Sequence, residues 1–147
     1  MKSIIFILLL MVSFSVMANK RGVGITLGNP TGLNGKYWLD EKKAIDASLG
    51  VSLGVHSDFS MHSNYLFHQK DAFYFNDVHP LDLYFGLGGR MEFADDIELG
   101  IRLPVGLVHE FKEENADLFF ETAPIVEIFT KKGIELHLLF GARYYLR

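Results

Sequence analysis

The chain has no cysteine. That excludes a disulfide scaffold, a thiol nucleophile, a cysteine zinc site and a lipidated bacterial N-terminus, which needs a Cys at its cleavage point. Charge is sparse, at 22% of residues, and its sign is wrong for nucleic acid. The formal charge is −4, and losing Lys2 with a leader makes it 13 − 18 = −5. No basic patch is visible, so no nucleic-acid partner is expected. Beyond the N-terminus no apolar run approaches the roughly 20 residues of a membrane-spanning helix. What is abundant is apolar surface, at 49%, together with 14 glycines. A disordered or collagen-like chain is excluded by that balance, and 147 residues is a one-domain length.

Residues 1–18 read MKSIIFILLLMVSFSVMA. Lys2 supplies a positive start, Ile4–Val12 an apolar stretch, and Val16 and Ala18 the −3 and −1 positions of a cleavage site. This is the pattern of a cleavable secretory signal peptide. The domains expected are therefore a signal peptide over 1–18 and one barrel domain over 19–147. A mature chain that enters a membrane must do so as strands.

The rest alternates with period two. In Ile97–Phe111, Ile97, Leu99, Ile101, Leu103, Val105, Leu107 and Phe111 share one face, opposite Glu98, Gly100, Arg102, Pro104, Gly106, Val108 and Glu110. Leu81–Phe93 and Ile134–Leu146 behave alike. Such alternation means strands with two unlike faces. Turn signals separate eight runs, near 22–28, 33–39, 44–53, 59–68, 79–93, 97–111, 117–129 and 134–146. Asn29–Gly32, Asp40–Lys43, Gly54–Asp58, Gln69–Val78, Ala94–Asp96, Lys112–Ala116 and Thr130–Gly133 read as the connections. Short connections imply antiparallel neighbours. Pro104 and Pro124 each remove a ladder donor, so a bulge or local ladder break is expected at each. Eight up-and-down strands with no helix should close into a barrel, which abolishes exposed edges.

Alternation alone does not orient that barrel. A soluble, lipocalin-like barrel turns its apolar face inward to bind a hydrophobic ligand. An outer-membrane barrel turns it outward to lipid. Four features favour lipid. Glycines Gly50, Gly86, Gly88, Gly100, Gly106 and Gly141 crowd the charged face, as a filled eight-stranded interior requires. Mid-strand cations are Arg90, Arg102 and Arg143, and arginine suits buried pairing better than lysine. The runs match the about 9–11 residues of a tilted spanning strand. The leader directs export.

The last strand ends Leu139-Phe140-Gly141-Ala142-Arg143-Tyr144-Tyr145-Leu146-Arg147. Gly141, Tyr144 and Leu146 resemble the C-terminal assembly signal of bacterial outer-membrane barrels, with Leu146 and Arg147 in place of the usual terminal aromatic. The mature chain also resembles a family of short outer-membrane barrel proteins of predatory bacteria and spirochaetes. That resemblance lies in Gly24–Gly32, Lys36-Tyr37-Trp38, Ala44-Ile45-Asp46, Tyr65–His68, Gly86–Arg90, Gly100–Leu107 and Gly141–Tyr145. It implies an eight-stranded transmembrane barrel similar to the small OmpA- and OmpX-type proteins, placed in the bacterial outer membrane. It implies no known activity. The partners expected are outer-membrane lipid and the barrel-assembly machinery, reached through the C-terminal strand. One departure stands out. With a periplasmic N-terminus the longest connection, Gln69–Val78, faces the periplasm, the reverse of the usual pattern, and its aromatic run Phe73-Tyr74-Phe75 either begins strand five or sits at the bilayer interface.

The inward face should carry Lys36, Asp46, His62, Asn64, Asp82, Arg90, Glu92, Glu98, Arg102, Glu110, Glu121, Glu127, Glu135, His137 and Arg143. An eight-stranded interior is narrow enough to be filled by side chains, so these are expected to form a plugging ion-pair network rather than a pore. Carboxylates outnumber cations in it, which permits a weak cation site. His56, His62 and His68 recur every six residues, yet no ligand cluster of fixed spacing exists, and neither metal nor cofactor is expected. An enzyme acting on lipid A needs a hydroxyl, a histidine and an acid within reach. In His62-Ser63-Asn64 adjacent side chains point to opposite faces, so no catalytic residue is assigned. The expectation is a structural or surface-interaction barrel of the outer membrane, with a soluble periplasmic barrel as the alternative.

Overall fold

The computed structural model describes residues 20–53, 57–129 and 133–146. The leader over 1–18, His56 and Arg147 lie outside the described residues. Nine strands follow in order: β1 (Arg21–Gly28), β2 (Thr31–Trp38), β3 (Lys43–Val51), β4 (Phe59–Phe75), β5 (His79–Phe93), β6 (Ile97–Arg102), β7 (Val105–Phe111), β8 (Ala116–Glu127) and β9 (Ile134–Leu146). Among the described residues there is no helix. Every pairing is antiparallel, and β1 closes on β9 from Arg21↔Leu146 to Gly28↔Leu139. The result is an all-β ring.

β6 and β7 both lie between β5 and β8, so the nine strands fill eight positions. Proline causes the division. Leu103 donates to the Pro124 carbonyl at 3.0 Å, and Gly86 donates to the Pro104 carbonyl at 3.0 Å. In an antiparallel ladder a residue's N–H and C=O point to the same neighbour. The donor missing at Pro104 therefore falls towards β5, and the donor missing at Pro124 towards Leu103. Both losses bracket Leu103-Pro104. Register is unchanged across the gap, with Arg102↔Ile125 before it and Val105↔Thr122 after it. The expected disturbance at Pro104 is a ladder break without a bulge. At Pro124 the break is one-sided: the ladder from β8 to β6 and β7 is interrupted between Ile125 and Thr122, while its ladder with β9 loses no donor and runs through.

Another expectation needs correction. Gln69–Val78 is not a loose connection. β4 and β5 continue past the rim as a hairpin, pairing Phe73↔Leu81, Tyr74↔Pro80 and Phe75↔His79. Asn76 and Asp77 turn it with φ of 51° and 56°, the left-handed geometry of a tight hairpin that Asn and Asp tolerate. The only break in β4–β5 register lies between Gln69 and Phe73. The Asp71 amide there donates to Asp82 Oδ1 at 2.8 Å, with Asp71 at φ 50°. Phe73-Tyr74-Phe75 thus continue β4 rather than begin strand five, a continuation the sequence hides because charged residues interrupt the alternation at the bulge.

The apolar face points outward. Ile25, Leu33, Leu87 and Leu136 are about 60% exposed, and Leu27, Phe85, Phe120 and Leu138 are exposed with them. The inside mixes charge with apolar groups. Leu66, Tyr84, Val108 and Phe119 form one buried cluster. Inward glycine makes room for its rings: a Cβ on Gly106 would stand 2.3 Å from Tyr84 Cζ, and one on Gly141 2.4 Å from Phe119 Cζ.

Candidate functional site

Strand parity delivers the expected polar residues to the inside. Lys36, Asp46, His62, Asn64, Asp82, Arg90, Glu98, Arg102, Glu121, Glu127, His137 and Arg143 are buried. Glu92, Glu110 and Glu135 sit nearer the two mouths, with side chains 12%, 13% and 35% exposed. Their contacts build tiers along the barrel.

The tier at the loop end centres on Arg90. Its guanidinium bonds Glu92, reaches Glu127 Oε1 at 2.6 Å and lies 3.4 Å from Glu135 Oε2. Ser52 Oγ donates to Glu92 Oε2 at 3.0 Å, and His137 Nε2 lies 3.3 Å from Glu135 Oε2. In the middle, Arg102 Nη1 bonds Glu121 Oε1 at 2.6 Å and Asn64 Oδ1 at 3.3 Å. Asn64 Nδ2 donates to Asp46 Oδ1 at 2.7 Å, and Tyr84 Oη to Glu121 Oε2 at 2.9 Å. Above this, Arg143 Nε bonds Asp117 Oδ1 at 2.9 Å, its Nη1 donates to Asn34 Oδ1 at 3.2 Å, and its guanidinium lies 3.9 Å from the centre of the Phe119 ring. Tyr145 Oη also donates to Asp117. Each arginine thus has a carboxylate partner and further polar or aromatic contacts, which offset the cost of burying its charge, although Arg90 Nε, Arg102 Nε and Nη2 and Arg143 Nη2 have no hydrogen-bond partner among the described residues.

Asp117 was absent from the expected set, although it shares inward parity with Glu121. Tyr84 and Tyr145 share the polar, inward face of their strands with Asp82 and Arg143, whereas the apolar interior members Trp38, Leu66 and Phe119 were not expected inside. A period-two pattern assigns a face, and it cannot say that an apolar residue at a polar position will pack against a glycine.

His62 and His68 both point inward on β4. Six residues of strand separate them by roughly 20 Å, so they cannot share an ion. His68 Nε2 lies 2.8 Å from Lys36 Nζ and its ring stacks near Tyr84. Among the described residues no group of three or more His, Cys, Asp or Glu is placed to hold a metal. Ser63 points away from His62 and donates to the Asp46 carbonyl at 3.0 Å.

At the end that carries the chain termini the barrel opens into a cup of about 620 Å³. Trp38, Asp82 and Pro80 line it, with Lys70 on the bulge, Glu110 on β7, and Asp40 and Glu41 on the β2–β3 turn. Lys70 Nζ bonds Asp82 Oδ2 at 3.0 Å and Glu110 Oε1 at 2.9 Å. Lys36 and Lys70 lie 4.3 and 4.4 Å from the Trp38 ring centre. On the rim, the amides of Lys42 and Lys43 donate to Asp40 Oδ1 at 2.7 and 2.8 Å. Those bonds hold its carboxyl below the usual range, the Lys42 amide contributing most.

Gly141, Tyr144 and Leu146 lie on β9, the strand that closes the ring. Gly141 is buried against Phe119, and Tyr144 and Leu146 face outward, 54% and 52% exposed. No family model, no curated protein and no solved structure matches the chain.

Proposed function

We propose that the chain is an outer-membrane β-barrel whose apolar outer face meets lipid and whose charged interior is a side-chain plug. Its role on this reading is structural or surface-interacting rather than catalytic. One observation carries it: the molecule is inverted, with ion pairs buried inside the ring and Ile25, Leu33, Leu87 and Leu136 outside. Monomeric soluble proteins rarely expose a contiguous apolar surface of more than a few hundred Å². At about 25 cal/mol per Å², a belt around the whole ring is a large penalty in water and a gain in a bilayer. Aromatic residues support the same reading. Phe59, Phe93 and Phe129 lie towards one end of the belt and Tyr37, Phe111 and Tyr144 towards the other, where interfacial girdles belong. The resemblance of Gly141, Tyr144 and Leu146 to a barrel assembly signal, and the export leader, agree with it.

A soluble barrel with an apolar ligand cavity needs the opposite orientation. Here the cup is lined by Lys70, Asp82 and Glu110, and the apolar face is outside. Reconstitution of Leu103→Arg tests the proposal. Leu103 is outward and mid-barrel, 43% exposed. A charge there should cost roughly 2–4 kcal/mol of folding free energy in a bilayer. Folding of the variant into vesicles as well as wild type would overturn the lipid reading.

A further inference from the structure

Two lysines at the mouth sit in seats of the same chemistry. Lys70 Nζ is held by Asp82 Oδ2 at 3.0 Å and Glu110 Oε1 at 2.9 Å, and it lies 4.4 Å from the centre of the Trp38 ring. Lys20 Nζ lies 3.5 Å from Glu110 Oε2 and 4.9 Å from the centre of the Tyr145 ring. Each seat combines carboxylate with the face of an aromatic ring, the chemistry that selects alkylammonium groups. Glu110 belongs to both seats, one oxygen to each. The Asp82, Glu110 and Trp38 side chains are mostly buried, while the Lys70 and Lys20 side chains that reach them are 35% and 50% exposed.

Lys70 is not fixed there by a regular ladder. It stands in the β4 bulge, where β4–β5 pairing is interrupted. It therefore reaches the carboxylates as an ammonium tethered at a break in the register. The cup beside it, about 620 Å³, is within the range of small-molecule sites, roughly 300–1,000 Å³.

We propose that this mouth binds a short aliphatic diamine, whose two ammonium groups take the seats filled here by Lys70 and Lys20. Lys70 and Lys20 are then built-in competitors that set the affinity. The site opens at the end of the ring and does not depend on what the outer face contacts.

The chain's single tryptophan is Trp38, so its fluorescence reports on the cup alone. The full chain, folded in detergent or in buffer if it proves soluble, is titrated with 1,4-diaminobutane at constant ionic strength. The expected result is a saturable change in Trp38 emission. Lys70→Met, which removes one of the two competitors, should bind roughly tenfold tighter. Glu110→Gln should lose the response, as should Asp82→Asn, which guards against a failure of either variant to fold. 1-Aminobutane should bind more weakly than the diamine. Absence of a saturable change in both wild type and Lys70→Met, with circular dichroism showing both folded, would overturn the proposal. So would an undiminished response in folded Glu110→Gln or Asp82→Asn, or a response matched by sodium chloride.

Discussion

Arg102 shows at one residue how the interior is held. It is fully buried, and Glu121 is its carboxylate partner at 2.6 Å. Arg102→Ala would leave that carboxylate buried without its cation, which costs about 3–5 kcal/mol. Urea titration of the folded barrel should show that loss, and Arg102→Met with Glu121→Leu should recover most of it. Gly106 makes the converse case, where nothing can be added. A methyl there meets the Tyr84 ring at 2.3 Å, so Gly106→Ala should cost about 1–3 kcal/mol in the same titration. Asp40 supplies a pH signature. Its folded carboxyl is lowered by the amides of Lys42 and Lys43. The turn's support is therefore complete above the unfolded value of about 3.9 and is lost as pH falls through the lower folded value. An NMR titration of those two amides should give a midpoint below about 3.9; a midpoint at or above it would contradict the assigned bonds.

At the scale of elements, Pro104 accounts for the division of β6 from β7. Because register is preserved across the gap, Pro104→Ala should restore one ladder bond to Gly86 and join the two strands without shifting either. Hydrogen exchange should then find a protected amide at position 104. An unprotected amide would mean that the break has another cause. Most strands were legible in the sequence, since each alternates apolar and polar residues and ends in turn residues. The β4–β5 extension was not. Lys70 and Asp71 read as turn residues, and only tertiary pairing with Asp82 and Glu110 makes them a bulge within a longer strand. The charged members of the interior were readable from parity. Asp117 followed the same parity and was overlooked. Tyr84 and Phe119 depend on glycines opposite them, a fit that spans separate strands and leaves no local trace.

At the scale of the whole molecule, a closed ring separates an ionic interior from an apolar exterior. Closure by β1–β9 pairing leaves no free edge at the seam, and the tiers around Arg90, Arg102 and Arg143 occupy the lumen. On the proposed reading this inverted molecule lives in the outer membrane. The direct measurement is gel mobility of fractionated cell membranes, with samples loaded unheated and boiled. The account predicts a band in the outer-membrane fraction that migrates as a folded barrel until heated. Recovery of the protein in the soluble periplasmic extract, with mobility unchanged by boiling, would contradict it.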